Sequence, residues 1–110
     1  MNILIAGAFG HLGREILKTA VNAGHNVTAI DRITCELGFS GFQFKMVDVT
    51  SPEEIEGVCE NQDIIISTVG LTVSSKTATH YDIDLTGNQN LLAEAQKAGV
   101  RKFVYTSVIH

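Results

Sequence analysis

Three evenly spaced glycines, Gly7, Gly10 and Gly13, stand directly behind a short apolar run, Asn2-Ile3-Leu4-Ile5-Ala6. A strand that stops in closely spaced glycines and opens into a helix is built to hold a phosphate. The glycines permit a tight turn and let backbone approach an anion, and the helix N-terminus adds unpaired N–H groups and the positive end of its dipole. The whole stretch Gly7, Ala8, Phe9, Gly10, His11, Leu12 and Gly13 is therefore a candidate pyrophosphate cradle. Its spacing departs from Gly-x-Gly-x-x-Gly, because Phe9 occupies the place of the second glycine. A plain structural turn is the competing explanation, and only a surrounding βαβ unit decides for binding.

A second chemical signal sits at Asp31, 18 residues beyond Gly13, near the roughly 20-residue spacing of a carboxylate that accepts hydrogen bonds from ribose hydroxyls. Such a group repels a 2′-phosphate, which favours NAD over NADP. Arg32 pulls the other way, because a guanidinium there pairs with that phosphate unless it is only a solvated surface charge. Either dinucleotide remains open, with NAD favoured.

The elements that would position these groups follow in order. Leu12, Ile16, Leu17, Ala20 and Val21 recur at helical spacing, and Gly24 marks a C-terminal stop. Asn26–Ile30 is a β-branched run ending at Asp31, so strand, glycine turn, helix and strand complete a βαβ unit. Residues 32–41 are too short for a crossover helix and read as a turn. Phe42–Val47 alternates Phe42, Phe44 and Met46 with Gln43 and Lys45, the pattern of a sheet-edge strand. Ser51, Pro52 and Glu54 predict a capped helix start. Asp63–Ser67 is a continuous apolar strand, and a polar loop through Ser74, Ser75 and Lys76 leads to a helix over 79–98 that presents Leu85, Leu92 and Ala95 to the sheet, with Leu91 and Ala93 beside them. Lys102–Val108 is the fifth strand. This alternation predicts an α/β, Rossmann-like doubly wound parallel sheet of five strands in the order 3-2-1-4-5, with ligands bound beyond the strands' carboxyl ends.

Each strand end then carries an expectation. Asp48 either accepts a hydrogen bond from an adenine amino group, with Val49 against the ring, or caps the following turn. Thr68, Val69 and Gly70 either line the middle of the cofactor or form only an approach to the next helix. Tyr105, Thr106 and Ser107 offer hydroxyls near a nicotinamide, or are buried in an apolar strand. His11, His25, His80 and His110 are scattered, with no nucleophile or metal-like spacing. Composition narrows the class further. A net charge of −4 argues against nucleic acid or an anionic membrane surface. No run approaches the roughly 18 apolar residues of a membrane span. Cys35 and Cys59 suggest neither a disulfide framework nor a zinc site, and with Met1 directly against the first strand the expected setting is a reduced cytoplasm. Residues 1–110 form one domain.

The residues also resemble a known family across essentially the whole chain. The glycine stretch resembles that of extended and atypical short-chain dehydrogenase/reductases. Asp63-Ile64-Ile65-Ile66-Ser67-Thr68-Val69-Gly70 is similar to the fourth-strand motif of the atypical, NmrA-like members. Tyr81–Leu92 resembles their central helix and Ala98–Ser107 their approach to strand 5. The resemblance implies NAD(P) binding through the positions named, and a full member about twice as long, with a C-terminal region that takes a small-molecule substrate. It implies hydride transfer or sugar-nucleotide epimerase-like chemistry, or a non-catalytic NAD(P)-redox sensor. Active members carry Tyr-x-x-x-Lys; here Tyr81 leads to Leu85 and Tyr105 to Ile109, and Val108 stands near the place of the assisting serine. A sheet that stops at strand 5 leaves an unpaired edge, so self-association or marginal stability is expected.

Overall fold

The computed structural model describes residues 1–34, 36–69 and 78–106, with the side chains of 78–84 excepted. Its elements are β1 (Asn2–Ala6), α1 (His11–Asn22), β2 (Asn26–Asp31), β3 (Phe42–Met46), β4 (Ile64–Ser67), α2 (Ala78–Ala98) and β5 (Lys102–Tyr105). The expectations for Cys35, Gly70, the loop at Ser74–Lys76, Ser107, Val108 and His110 lie outside the described residues.

All four neighbouring strand pairs are parallel, in the order β3-β2-β1-β4-β5. The register aligns the carboxyl ends: Ala6 lies opposite both Ile30 and Ser67, Asp31 opposite Met46, and Ser67 opposite Tyr105. The strand order reverses between β1 and β4, so the crevice of a doubly wound sheet opens where the glycine stretch begins.

Because side chains alternate along a strand, β1 feeds two cores. Ile3 and Ile5 join Leu17 and Ala20 of α1 on one face, while Leu4 and Ala6 join Leu91 and Ala95 of α2 on the other. Helix α1 ends as its glycine suggests. Gly24 has φ +85°, and the following His25 N–H returns to the Ala20 carbonyl. No helix among the described residues is long and apolar enough to cross a membrane.

Three expectations are corrected. Residues 52–61 do not form an α-helix; they form successive turns, with Ile55, Val58 and Cys59 buried beneath them. The reason is backbone geometry: Gly57 (φ +76°) and Asn61 (φ +65°) sit in the left-handed region, which ends helical propagation. The capping pair is also diverted, since Glu54 Oε1 accepts the Asp48 N–H and Ser51 Oγ meets Glu53. Next, α2 turns a partly different stripe inward: Ala95 is buried as expected, but Gly87 and Leu91 are buried with it, while Leu85 and Leu92 are exposed. Gly87 sets this rotation by packing on Val49, whose Cγ2 lies 2.7 Å from where a Cβ would be. Finally, Met46 is exposed although Phe42 and Phe44 are half-buried, because it closes an edge strand.

Candidate functional site

The glycine stretch is held by three backbone hydrogen bonds. The Gly7 and Ala8 N–H groups donate to the Ile30 carbonyl at the end of β2, at 3.0 and 3.3 Å. The Gly7 carbonyl accepts the Gly10 N–H at 3.2 Å, closing the turn before α1. Two of the glycines are demanded by the protein itself. Gly7 has φ +73°, and a Cβ on Gly13 would lie 2.1 Å from the Gly7 carbonyl oxygen, where no atom fits. Gly13 thus lets α1 sit hard against the loop.

Gly10 is different. Its φ is −73°, and among the described residues an added Cβ would meet nothing nearer than the Gly7 oxygen at 3.6 Å. Among the described residues no contact requires a glycine there, so the bare backbone leaves space beside the turn. Gly10 is also the N-cap of α1; no side chain caps this end, and no acidic residue lies in the first turn. Donors directed outward beside a position without a side chain fit a pyrophosphate.

Asp31 is joined to this cradle. Its Oδ2 accepts the Phe9 N–H at 3.0 Å and its Oδ1 accepts the Arg32 N–H at 2.7 Å. The carboxylate is therefore oriented by the glycine loop and keeps lone pairs for hydroxyl donors. Within the loop the roles of side chain and backbone separate. Ala8 and Phe9 are buried, and the Phe9 ring stacks on Phe44 with centroids 4.8 Å apart. It is the Phe9 amide, not its ring, that faces the site. His11 and Leu12 are exposed on the first turn of α1. Beyond them a shallow cleft of about 310 Å³ runs between His11, Arg14 and Lys18 of α1 and Leu37 and Phe39. Glu15 and Glu36 also line it, so its charge is mixed.

Asp48 caps its turn: Oδ1 accepts the Thr50 hydroxyl at 2.7 Å and the Thr50 N–H at 2.9 Å. The Thr50 hydroxyl, then its amide, holds the Asp48 carboxyl below the usual carboxylate range. Val49 is clasped by α2, through Gly87 and through Asn90 Nδ2, which donates to the Val49 carbonyl at 3.1 Å.

At the end of β4 the hydroxyls are engaged with protein. Ser67 Oγ donates to Asn88 Oδ1, Asn88 Nδ2 donates to the Val69 carbonyl, and Thr106 donates twice to the Ser67 carbonyl. Thr68 Oγ1 reaches the Ala6 and Gly7 carbonyls at 3.0 and 2.9 Å. Gly87, Asn88 and Asn90 were not singled out from the sequence. Their signal was a poor helix former, glycine, and two asparagines in mid-helix, which costs helical stability unless tertiary contacts use them. Among the described residues no group of His, Cys, Asp or Glu could hold a metal ion.

The site therefore joins Asp31 and Thr68 each to the glycine stretch, with Asp48 held separately by Thr50 and Val49 by α2. Comparison with known proteins fits this arrangement. A family model described as NAD(P)H-binding matches residues 7–110. The photosystem II assembly factor Ycf39 of Synechocystis sp. is 30% identical over 99% of this chain and 34% of its own length. A 3-beta-hydroxysteroid dehydrogenase of Mycolicibacterium neoaurum is 28% identical over 96% of this chain and 31% of its own length. The chain thus spans about a third of the curated relatives it matches. Among solved structures, a mutant uronate dehydrogenase from Agrobacterium tumefaciens complexed with NAD superposes with a TM-score of 0.81 at 19% identity, covering 96% of this chain and 40% of that one. At that identity the likeness speaks for the fold. With its five-stranded parallel sheet, its glycine cradle and a family model matched from Gly7 to the last residue, the chain belongs to the NAD(P)H-binding family and has homologues among extended short-chain dehydrogenases and epimerases.

Proposed function

We propose that residues 1–110 act as the cofactor-binding unit of an NAD(P)-dependent oxidoreductase or epimerase-like protein, and that NAD(H) is preferred to NADP(H). The observation that carries this reading is the bond between the Phe9 amide and Asp31 Oδ2. It ties a carboxylate to the loop that would hold the pyrophosphate, so a ribose placed by that loop meets the carboxylate. A 2′-phosphate in the same place meets its charge. In this reading Gly7, Gly10 and Gly13 with the His11 and Leu12 amides hold the phosphates, Asp31 the adenosine ribose, and Asp48 and Val49 the adenine edge. Val69 borders the middle of the dinucleotide, Gly70 is assigned there from the sequence alone, and Ala8, Phe9, Arg32 and Thr68 shape the surroundings. When bound, the nicotinamide would supply the hydride chemistry; this chain's own residues bind and orient.

Calorimetric titration with NAD, NADH, NADP and NADPH tests the reading. Tighter binding of the unphosphorylated pair is expected. A preference for NADP(H) overturns the selectivity, and the absence of binding overturns the whole proposal. The reacting substrate would be a small molecule held by residues outside this cradle. A second reading, a redox sensor that passes cofactor state to a partner, is favoured by one relative, the 30% identical photosystem II assembly factor. Hydride transfer to a carbonyl acceptor by the protein would count against it. The buried thiol of Cys59 suits a reducing cytoplasm. Among the described residues β5 is an edge strand, and self-association of this 110-residue chain through that edge is also proposed; a monodisperse monomer in light scattering would refute it.

A further inference from the structure

The end of β4 holds a side chain whose chemistry the cofactor reading leaves unused. Thr68 is only 5% exposed. Its hydroxyl lies 3.0 Å from the Ala6 carbonyl and 2.9 Å from the Gly7 carbonyl, so its single proton is shared between two oxygens of the neighbouring strand end. We propose that Thr68 is the positioning residue of the phosphate loop, and that it sets the loop's shape from β4 without touching the ligand. This inference rests on the cofactor-binding reading above and assigns a new role within that site.

The Gly7 carbonyl is where this hold takes effect. The same oxygen accepts the Gly10 N–H at 3.2 Å and lies against the Cα of Gly13, where an added Cβ would be 2.1 Å away. Turning the Gly7–Ala8 peptide would release the Gly10 amide and push into α1 together. Thr68 opposes that rotation with a hydrogen bond made 61 residues away in sequence. The fit is mutual: a Cβ on Gly7 would lie 2.6 Å from Thr68 Oγ1, so the glycine at 7 makes room for the hydroxyl at 68.

The bond has little to do with holding the fold. Without the hydroxyl, the Ala6 carbonyl keeps the Thr68 N–H at 2.9 Å and the Gly7 carbonyl keeps the Gly10 N–H. Neither buried acceptor is orphaned, so the large penalty for an unsatisfied group does not arise. What disappears is the lateral tie between β4 and the loop. β4 is itself anchored, by Ser67 to Asn88 of α2 and by Thr106 to the Ser67 carbonyl. Thr68 therefore transmits a rigid support to a loop that must present its amides in one geometry.

The test compares Thr68→Val, which keeps the shape and removes the hydroxyl, with Thr68→Ser, which keeps the hydroxyl and removes a methyl. In the cofactor-free chain, amide hydrogen exchange at Phe9 and Gly10 is expected to quicken about tenfold in the valine variant, while Leu4 and Ala29 in the strands keep their wild-type rates. NADH affinity, followed by fluorescence, is expected to fall about tenfold for valine and to stay within about threefold of wild type for serine. Unchanged loop exchange in Thr68→Val overturns the proposal. So does a uniform rise at every amide, which would make Thr68 ordinary core, and so does a serine variant as impaired as valine. If wild-type protein does not bind NADH at all, the cofactor reading fails, and the exchange comparison alone still decides the role of Thr68.

Discussion

The three glycines are predicted to fail in different ways when each receives a methyl group, and Gly13 and Gly10 separate packing from binding. In Gly13→Ala the new Cβ lies 2.1 Å from the Gly7 oxygen and 3.0 Å from the Ala8 Cα. Carbon–oxygen contacts settle at about 3.3 Å, so α1 must retreat by about 1 Å. Both obstacles are backbone, and neither can swing aside as a side chain would. Overpacking of this kind costs about 1–3 kcal/mol, and a backbone clash belongs at the upper end. Alanine's better helix propensity returns about 1 kcal/mol. The net loss is about 2 kcal/mol, which for a domain of this size lowers the melting temperature by about 10 °C.

Among the described residues Gly10→Ala meets only the Gly7 oxygen, at 3.6 Å, from a φ of −73° that any residue adopts. Alanine is a poorer N-cap than glycine, but it also restricts the unfolded chain; the two effects oppose and leave stability within about 1 kcal/mol of wild type. Its methyl nevertheless enters the space beside the uncapped amides, and NADH affinity should drop at least about tenfold. Thermal unfolding by circular dichroism and NADH fluorescence titration, run on both variants, provide the comparison. A Gly13→Ala protein as stable as wild type would refute the packing argument. A Gly10→Ala protein that binds NADH normally would refute the assignment of that space to a ligand.

Other perturbations address the neighbours of the loop. Asp31 accepts Phe9 and Arg32 amides on different oxygens, so Asp31→Asn can keep only one of these bonds; NADH affinity should fall by about tenfold relative to NADPH, and an unchanged ratio would exclude Asp31 from selectivity. Asp48 has its folded pKa lowered by Thr50, so its contribution to stability is fully present above its unfolded value of about 4 and is lost as pH falls through the lower folded value. The urea midpoint should therefore decline below about pH 4, and Thr50→Ala should flatten that decline; identical profiles for the two proteins would count against the bond. Burial, with the Glu94 carboxylate adding to it, pushes the Cys59 thiol up to about 12. In a Cys35→Ser background it should resist aromatic disulfide reagents at pH 8 until the chain unfolds, and native-state labelling at the rate of a free thiol would contradict its burial.

The part of this protein that its sequence reveals is the part whose causes are local. Apolar residues 2–6, glycines three apart and an aspartate at the end of the next β-branched run all reinforce one βαβ unit, and β1, α1, β2 and the Phe9–Asp31 bond follow. The segment after Pro52 shows the opposite case. Its capping residues predict a helix, yet Gly57 takes φ +76° and its N–H goes to Glu94 Oε1 on α2 at 2.8 Å, a partner 37 residues away. The facing of α2 was ambiguous for a related reason. Leu91, Leu92 and Ala93 are all apolar, and only contact with Val49 and the 52–61 turns selects the stripe that contains Leu91. Thr68 belongs with these non-local cases. A small polar residue closing an apolar strand reads from sequence as lining for a ligand, because its two acceptors lie more than 60 residues earlier. Once the parallel register sets Ser67 beside Ala6, the residue that follows β4 falls against the Ala6–Gly7 peptide, and the hydroxyl becomes a support for the cradle. The glycines can be read as a binding loop once the βαβ pattern around them is seen, but what holds that loop in shape depends on strand order, and strand order is set by the packing of the whole sheet.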